Sequence, residues 1–313
     1  MSPRYAKDQP AGFTNRIEKV AVVGLTTLSK AGGTIGRHLT DQLLRNGKHI
    51  ITAITRPEST NKIPNGVKVA RVDYSGNDDS ALVEVLRGQQ ILLITMNAMA
   101  PRDTIVKLIR AAAKAGEIKN LSVSAYLFLV CNFWYEFSLG GGPDRFGFDF
   151  TKRTFTMLDN GDVPINTTTW PQCGRAIANL LSLKELPEDE TDTSITLSQF
   201  ANRCTYVSSF RVTQRDMFES VRRVTGTVET DWTITRESSL ERFKEGQEGL
   251  KAHNWKVFTK MLYSRMFFPN RDGDYESTRG LDNAALGLPV EDLDAATKEG
   301  IRMGLAGEIP FSH

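Results

Sequence analysis

A strand that ends in glycine and turns at once into a helix leaves backbone N–H groups free, and with the helix dipole they attract a pyrophosphate. Val20-Ala-Val-Val-Gly24 and Gly32-Gly33-Thr34-Ile35-Gly36 have this form. With Leu25-Thr-Thr-Leu-Ser-Lys30 set aside, the segment reads Val-Ala-Val-Val-Gly-Ala-Gly-Gly-Thr-Ile-Gly, a GxxGxxG pattern on Gly24, Gly33 and Gly36. Glycines often only terminate elements, but placement between a buried strand and an amphipathic helix favours a nucleotide turn. The cofactor-binding candidates are therefore Gly24, Gly32, Gly33, Thr34, Ile35 and Gly36. The extra residues inside the turn either bulge outward and leave the helix N-terminus usable or spoil the pyrophosphate seat.

The end of the second strand tells one nicotinamide nucleotide from another. An acid there holds the ribose hydroxyls of NAD, whereas an arginine suits a 2′-phosphate. The chain has Thr55-Arg56-Pro57, with Lys62 nearby and no acid at the strand end. A guanidinium stacks on adenine and bonds phosphate at once, so Arg56 joins the candidates and NADP(H) is the expected cofactor.

These residues need a frame to hold them. Ile17 to Gly24 is an apolar run, and Thr34 to Asn46 carries Ile35, Leu39, Leu43 and Leu44 at helical spacing with Gly47 as C-cap. Further strands are predicted at 49–55, 67–72 and 90–95, with helices at 80–86 and 104–115. This alternation requires long crossovers and a parallel sheet, so the expected class is α/β, a Rossmann-like doubly wound parallel sheet with a smaller α+β substrate lobe. After an apolar strand at 123–131 the chain becomes aromatic and glycine-rich. Strands at 148–159 and 162–169 flank an Asn160-Gly161 turn. A helix follows at 174–183, a strand at 205–210 and a helix at 213–225 capped by Thr213, with mainly helices from Ser238 onward. The expected organisation is a flexible tail over 1–16, a nucleotide-binding domain over 17–132 and a substrate lobe over 133–313 that partly completes the sheet.

Composition excludes several functions. The 313 residues carry a net charge of +2 with both signs mixed, so neither nucleic acid nor an anionic membrane is an expected partner. No apolar run approaches the roughly 20 residues of a membrane span, and the polar start lacks a signal peptide's apolar core. Cys131, Cys173 and Cys204 lack pairing or CxxC spacing and read as reduced thiols of a cytoplasmic protein. His38, His49, His253 and His313 lack zinc-ligand spacing, so no metal is expected. A GxSxG elbow and a P-loop lysine are also absent.

Gly24/Gly33/Gly36, Thr55-Arg56, Val72-Asp73-Tyr74, Ala111-Ala-Ala-Lys-Ala-Gly116 and Gly174-Arg175-Ala176 together resemble the NmrA-like and isoflavone-reductase-like family of atypical short-chain dehydrogenases. The fungal branch looks closest, through Phe133-Trp-Tyr-Glu-Phe-Ser-Leu-Gly140 and Val207-Ser-Ser-Phe210. The resemblance implies either an NADPH-dependent reductase of phenolic and related substrates or a cofactor-sensing regulator without catalysis. One departure stands out. Where the family has a fifth strand, a loop and a helix bearing the reductases' catalytic lysine, Gly116 passes directly to Glu117-Ile-Lys-Asn-Leu-Ser-Val-Ser124. A strand–helix unit is missing after 116. Lys114, Lys119 and Lys152 read as solvated surface residues, and Cys173 as buried and inert. Tyr135 and Glu136 fall where the resemblance places the pocket rim, although an aromatic core explains them equally well. No catalytic residue is nominated. Three readings remain open: an NADPH-dependent reductase of a small-molecule substrate, a non-catalytic NADP-sensing protein with a regulatory protein partner, and a defective gene-model variant.

Overall fold

Val20 through Val23 are all buried, so the first strand is covered on both faces, as happens in a parallel sheet between layers of helix. A computed structural model describes residues 5–24, 34–60, 62–74, 76, 78–96, 100–116 and 125–309. It divides into two compact units: 1–129 with 173–205 and 284–288, and 130–172 with 206–283 and 289–313. The chain was expected to divide once, near 132; in the structure it passes between the units several times.

In the first unit the order is β1 (Lys19–Val23), α1 (Thr34–Asn46), β2 (Ile50–Thr55), β3 (Lys68–Arg71), α2 (Ser80–Leu86), β4 (Ile91–Ile94), α3 (Arg102–Lys114) and β5 (Leu127–Val130). Four strands form a parallel sheet in the order β3-β2-β1-β4. Val23 lies opposite Ile54 on one side and Ile94 on the other. Ala21, Val23 and Ile54 pack with Leu82 and Leu86 of α2 and Leu108, Ala111 and Ala112 of α3. These are the i, i+4 and i, i+3 stripes of amphipathic helices. Among the described residues the sheet ends at β4, since β5 pairs elsewhere. The junction after Gly116, where the sequence lacks the expected strand–helix unit, lies outside the described residues. The stretch expected as a flexible tail is hydrogen-bonded from Ala6 onward: Ala6 N donates to Pro187 O at 2.8 Å, and the Asn15 side chain exchanges two bonds with the backbone of Leu186, each 2.8 Å.

The chain continues with β6 (Phe133–Trp134), α4 (Tyr135–Leu139), β7 (Phe148–Asp149), β8 (Thr154–Leu158), β9 (Ile165–Thr168), α5 (Trp170–Leu181), β10 (Arg203–Tyr206), β11 (Phe210–Val212), α6 (Gln214–Thr225), β12 (Thr233–Glu237), α7 (Ser239–Lys251), α8 (Phe258–Met266), α9 (Tyr275–Arg279) and α10 (Leu293–Leu305). Small sheets of order β11-β9-β6 and β12-β8-β7 enclose the second unit's core, and β10 pairs with β5. Aromatic stacking dominates that core, with Phe148 on Phe155 at 4.5 Å and Phe133 on Tyr263 at 4.0 Å between ring centroids. Gly161 turns the chain at φ +66° as expected, but the strands beside it do not pair with each other. β8 takes β12 as a parallel neighbour, from Thr154–Thr233 to Leu158–Glu237, and β9 joins a different sheet. The helix expected from Gly174 begins at Trp170, because Thr169 Oγ1 accepts from Gln172 N at 3.1 Å and caps it earlier. Among the described residues no helix is long and apolar enough to cross a membrane.

Candidate functional site

The strand order β3-β2-β1-β4 creates a crevice at the carboxyl ends of β1 and β4, where successive strands leave in opposite directions and open α/β sheets bind ligands. Gly24 is the first residue past β1 there. Its φ is +92°, and a Cβ on it would lie 2.7 Å from Thr95 C, 2.8 Å from Thr95 O and 2.9 Å from Met96 N. Thr95 draws the end of β4 in, its N–H and hydroxyl both donating to Val23 O at 2.9 and 3.0 Å. No other residue has room at this position, and a backbone without a side chain is what a pyrophosphate needs beside it.

Gly32 and Gly33 lie outside the described residues, as does the Leu25–Lys30 insertion. Thr34 opens α1, with Ile35 and Gly36 in its first turn. Gly36 is buried and its carbonyl accepts from Thr40 Oγ1 at 2.8 Å. The first turn holds no acid, so the partial positive charge of the helix start is not offset by a neighbouring carboxylate there. The structure thus places the described glycine candidates on the strand-end and helix-start elements that a dinucleotide turn joins.

Arg56 follows β2 at the same edge of the sheet. It opens a tight turn over Arg56-Pro57-Glu58-Ser59, closed by Ser59 N donating to Arg56 O at 3.1 Å. Proline fits the second position of such a turn because its φ is already set. Register puts Arg71, the last residue of β3, opposite Thr55. From there its Nη1 donates to Pro57 O at 3.1 Å and Ser59 O at 2.9 Å, clamping the turn. Arg56 Nε stands 3.3 Å from Glu58 Oε1, with both side chains largely exposed. Tyr74 is half-buried, and desolvation raises its hydroxyl pKa while the charges of Arg56 and Glu58 act on it in opposite senses. Sequence reasoning picked out Arg56 and missed Glu58 and Arg71. Lys62 is exposed.

Of the lysines considered, Lys114 Nζ bonds Asp79 Oδ2 at 2.7 Å and Lys119 lies outside the described residues. Lys152 Nζ is 3.2 Å from Asp149 Oδ2, at an open pocket of about 290 Å³ in the second unit, lined also by Phe148, Phe150, Gly140 and Gly304. Tyr135 is fully buried in the aromatic core. Its hydroxyl is 2.8 Å from Thr297 Oγ1, and burial raises its pKa. Glu136 is only 3% exposed. Its Oε1 accepts from Trp170 N at 2.9 Å, while Oε2 has no hydrogen-bond partner among the described residues. Burial, with further repulsion from Glu291 and Glu299, pushes its pKa up to about 7. Cys173 is buried. Among the described residues no group of three or more His, Cys, Asp or Glu side chains is disposed to hold a metal.

Residues 31–137 match the family described as NAD(P)H-binding, and the match starts directly after the Leu25–Lys30 insertion. The oxidoreductase aprR of Aspergillus flavus is 24% identical over 311 residues, covering 88% of this chain and 96% of that protein. A crystal structure of isoflavone reductase superposes with a TM-score of 0.66 at 17% identity, covering 90% of this chain and 99% of that one. The structure of AtPrR2 with NADP+ and (+)pinoresinol gives 0.64 at 15% identity, covering 91% and 99%. The chain therefore has the fold of the isoflavone-reductase-like proteins, and the resemblance drawn from its motifs holds at that level.

Proposed function

We propose that the chain binds NADP(H) at the carboxyl edge of β1, β2 and β4 and acts as an NADPH-dependent reductase of isoflavone-reductase-like lineage in the cytoplasm. One observation carries this reading: at the switch point of the parallel sheet, Gly24 is held against Thr95 where no side chain fits, and the neighbouring strand end presents Arg56. When bound, NADPH supplies hydride from its nicotinamide to an electrophilic carbon of a small molecule. The protein's own part at this edge is to let the pyrophosphate approach at Gly24, to meet its charge with the start of α1, and to hold the 2′-phosphate at Arg56. The names of aprR and isoflavone reductase support an oxidoreductase. The likeness to a structure holding NADP+ supports the phosphorylated nucleotide.

A second reading, a non-catalytic NADP-sensing protein with a regulatory partner, is favoured by the end of the sheet at β4 among the described residues and by the ion pairs on Lys114 and Lys152. Consumption of NADPH by the purified protein with a panel of enones, imines and carbonyl compounds separates the two. Sustained turnover with any member establishes the reductase. Saturable NADPH binding with no turnover across the panel establishes the sensor.

A further inference from the structure

We propose that Glu58 sets the nucleotide preference of this site, by holding the Arg56 guanidinium as an internal counter-ion that a 2′-phosphate must displace. The inference rests on the reading of Arg56 as the phosphate-binding residue and goes beyond it, because an acidic competitor lies within the same turn. The geometry holds the backbone that carries the competitor. Glu58 lies between the two carbonyls, Pro57 O and Ser59 O, that Arg71 Nη1 holds at 3.1 and 2.9 Å. The turn is closed beneath it by Ser59 N on Arg56 O. The clamped backbone keeps Glu58 within side-chain reach of Arg56, and its carboxylate stands 3.3 Å from Arg56 Nε.

Around Arg56 the described side chains include the Arg71 guanidinium, the Glu58 carboxylate and the Tyr74 hydroxyl, whose pKa burial raises. Arg71 is bound to backbone carbonyls, and Arg56 faces Glu58. A nucleotide carrying a 2′-phosphate takes Arg56 from Glu58 and leaves that carboxylate beside a doubly charged group. A nucleotide with a free ribose hydroxyl leaves the Arg56–Glu58 pair intact. Glu58 therefore disfavours NADPH without touching NADH, and the native preference for NADPH is smaller than Arg56 alone would give.

The test is titration of the full-length protein and of E58Q with NADPH, NADH and 2′,5′-ADP, with a thermal melt confirming that the variant folds. Exposed ion pairs of this kind set the scale of the effect, so E58Q is expected to bind NADPH and 2′,5′-ADP about 5-fold more tightly, with NADH affinity unchanged. Unchanged affinity for all three overturns the proposal. Weaker NADH binding with unchanged NADPH binding also overturns it, and identifies Glu58 as a ribose-hydroxyl acceptor. E58D, which shortens the reach to Arg56 but keeps the charge, is expected to show a smaller gain than E58Q, and an equal or larger gain contradicts competition through the ion pair. If the unaltered protein binds none of the three, the nucleotide reading itself fails and the inference falls with it.

Discussion

At Glu136 the second unit holds a carboxyl with one oxygen on the Trp170 N–H and the other without a partner among the described residues. Burial raises its pKa from 4.5 to about 7, so the folded state binds this proton more tightly than the unfolded chain does. The stabilisation from the neutral carboxyl is therefore complete below about pH 4.5, declines as pH rises, and is gone once pH passes the folded value near 7. The shift corresponds to roughly 3 kcal/mol at most. Denaturant unfolding at pH 5 and pH 8, in wild type and E136Q, is expected to show a wild-type loss that E136Q lacks, since a neutral amide still accepts from Trp170 N. Parallel pH profiles would remove Glu136 as the cause. Its sequence position gave two equal explanations, pocket rim or core, because burial depends on α10 and the start of α5, which are distant in the chain. Arg56 was legible as a candidate because its place at the end of a strand follows from local pattern. Glu58 was not, since pairing across two residues needs the turn to be closed and clamped by Arg71, sixteen positions from the strand end it serves.

Among the elements, α4 and α10 cross through glycine. A Cβ on Gly140 would lie 2.2 Å from Gly300 O, and one on Gly304 would lie 2.8 Å from Gly140 O. Ser138 and Tyr135 on α4 also donate or accept within this unit, to Tyr263 at 2.8 Å and Thr297 at 2.8 Å. Gly140→Ala must therefore push the helices apart and is expected to destabilise the protein by about 1–3 kcal/mol, read as a lower denaturant midpoint. A variant as stable as wild type would show that the crossing has slack. Helices with strong stripes were well marked in the sequence: α2 spans Ser80–Leu86 and α6 is capped by Thr213, whose side chain bonds Asp216 N in a capping box. The pairing of β8 with β12 was hidden, because a parallel neighbour seventy-nine residues away leaves no local signal, whereas Asn160-Gly161 marks a turn whichever sheets its flanks join.

For the molecule as a whole, the parallel sheet of the first unit follows from strand–helix alternation, which is why its fold could be read from periodicity and turn residues alone. The exchange of segments between units could not, because 173–205 and 284–288 join the first unit through packing and hydrogen bonds made far along the chain. One is Asn179 Nδ2 donating to Leu286 O at 2.8 Å. Another is the bond of Ala6 to Pro187. The binding proposed for this sheet is of a phosphorylated nicotinamide nucleotide at Gly24 and Arg56. Fluorescence titration of NADPH and NADH against wild type and Arg56→Glu tests it most directly, since Arg56 is exposed and its substitution leaves the core intact. Wild type is expected to bind both nucleotides saturably, NADPH more tightly, and Arg56→Glu to lose that preference. Equal affinities in wild type, or no binding of either nucleotide, would contradict it.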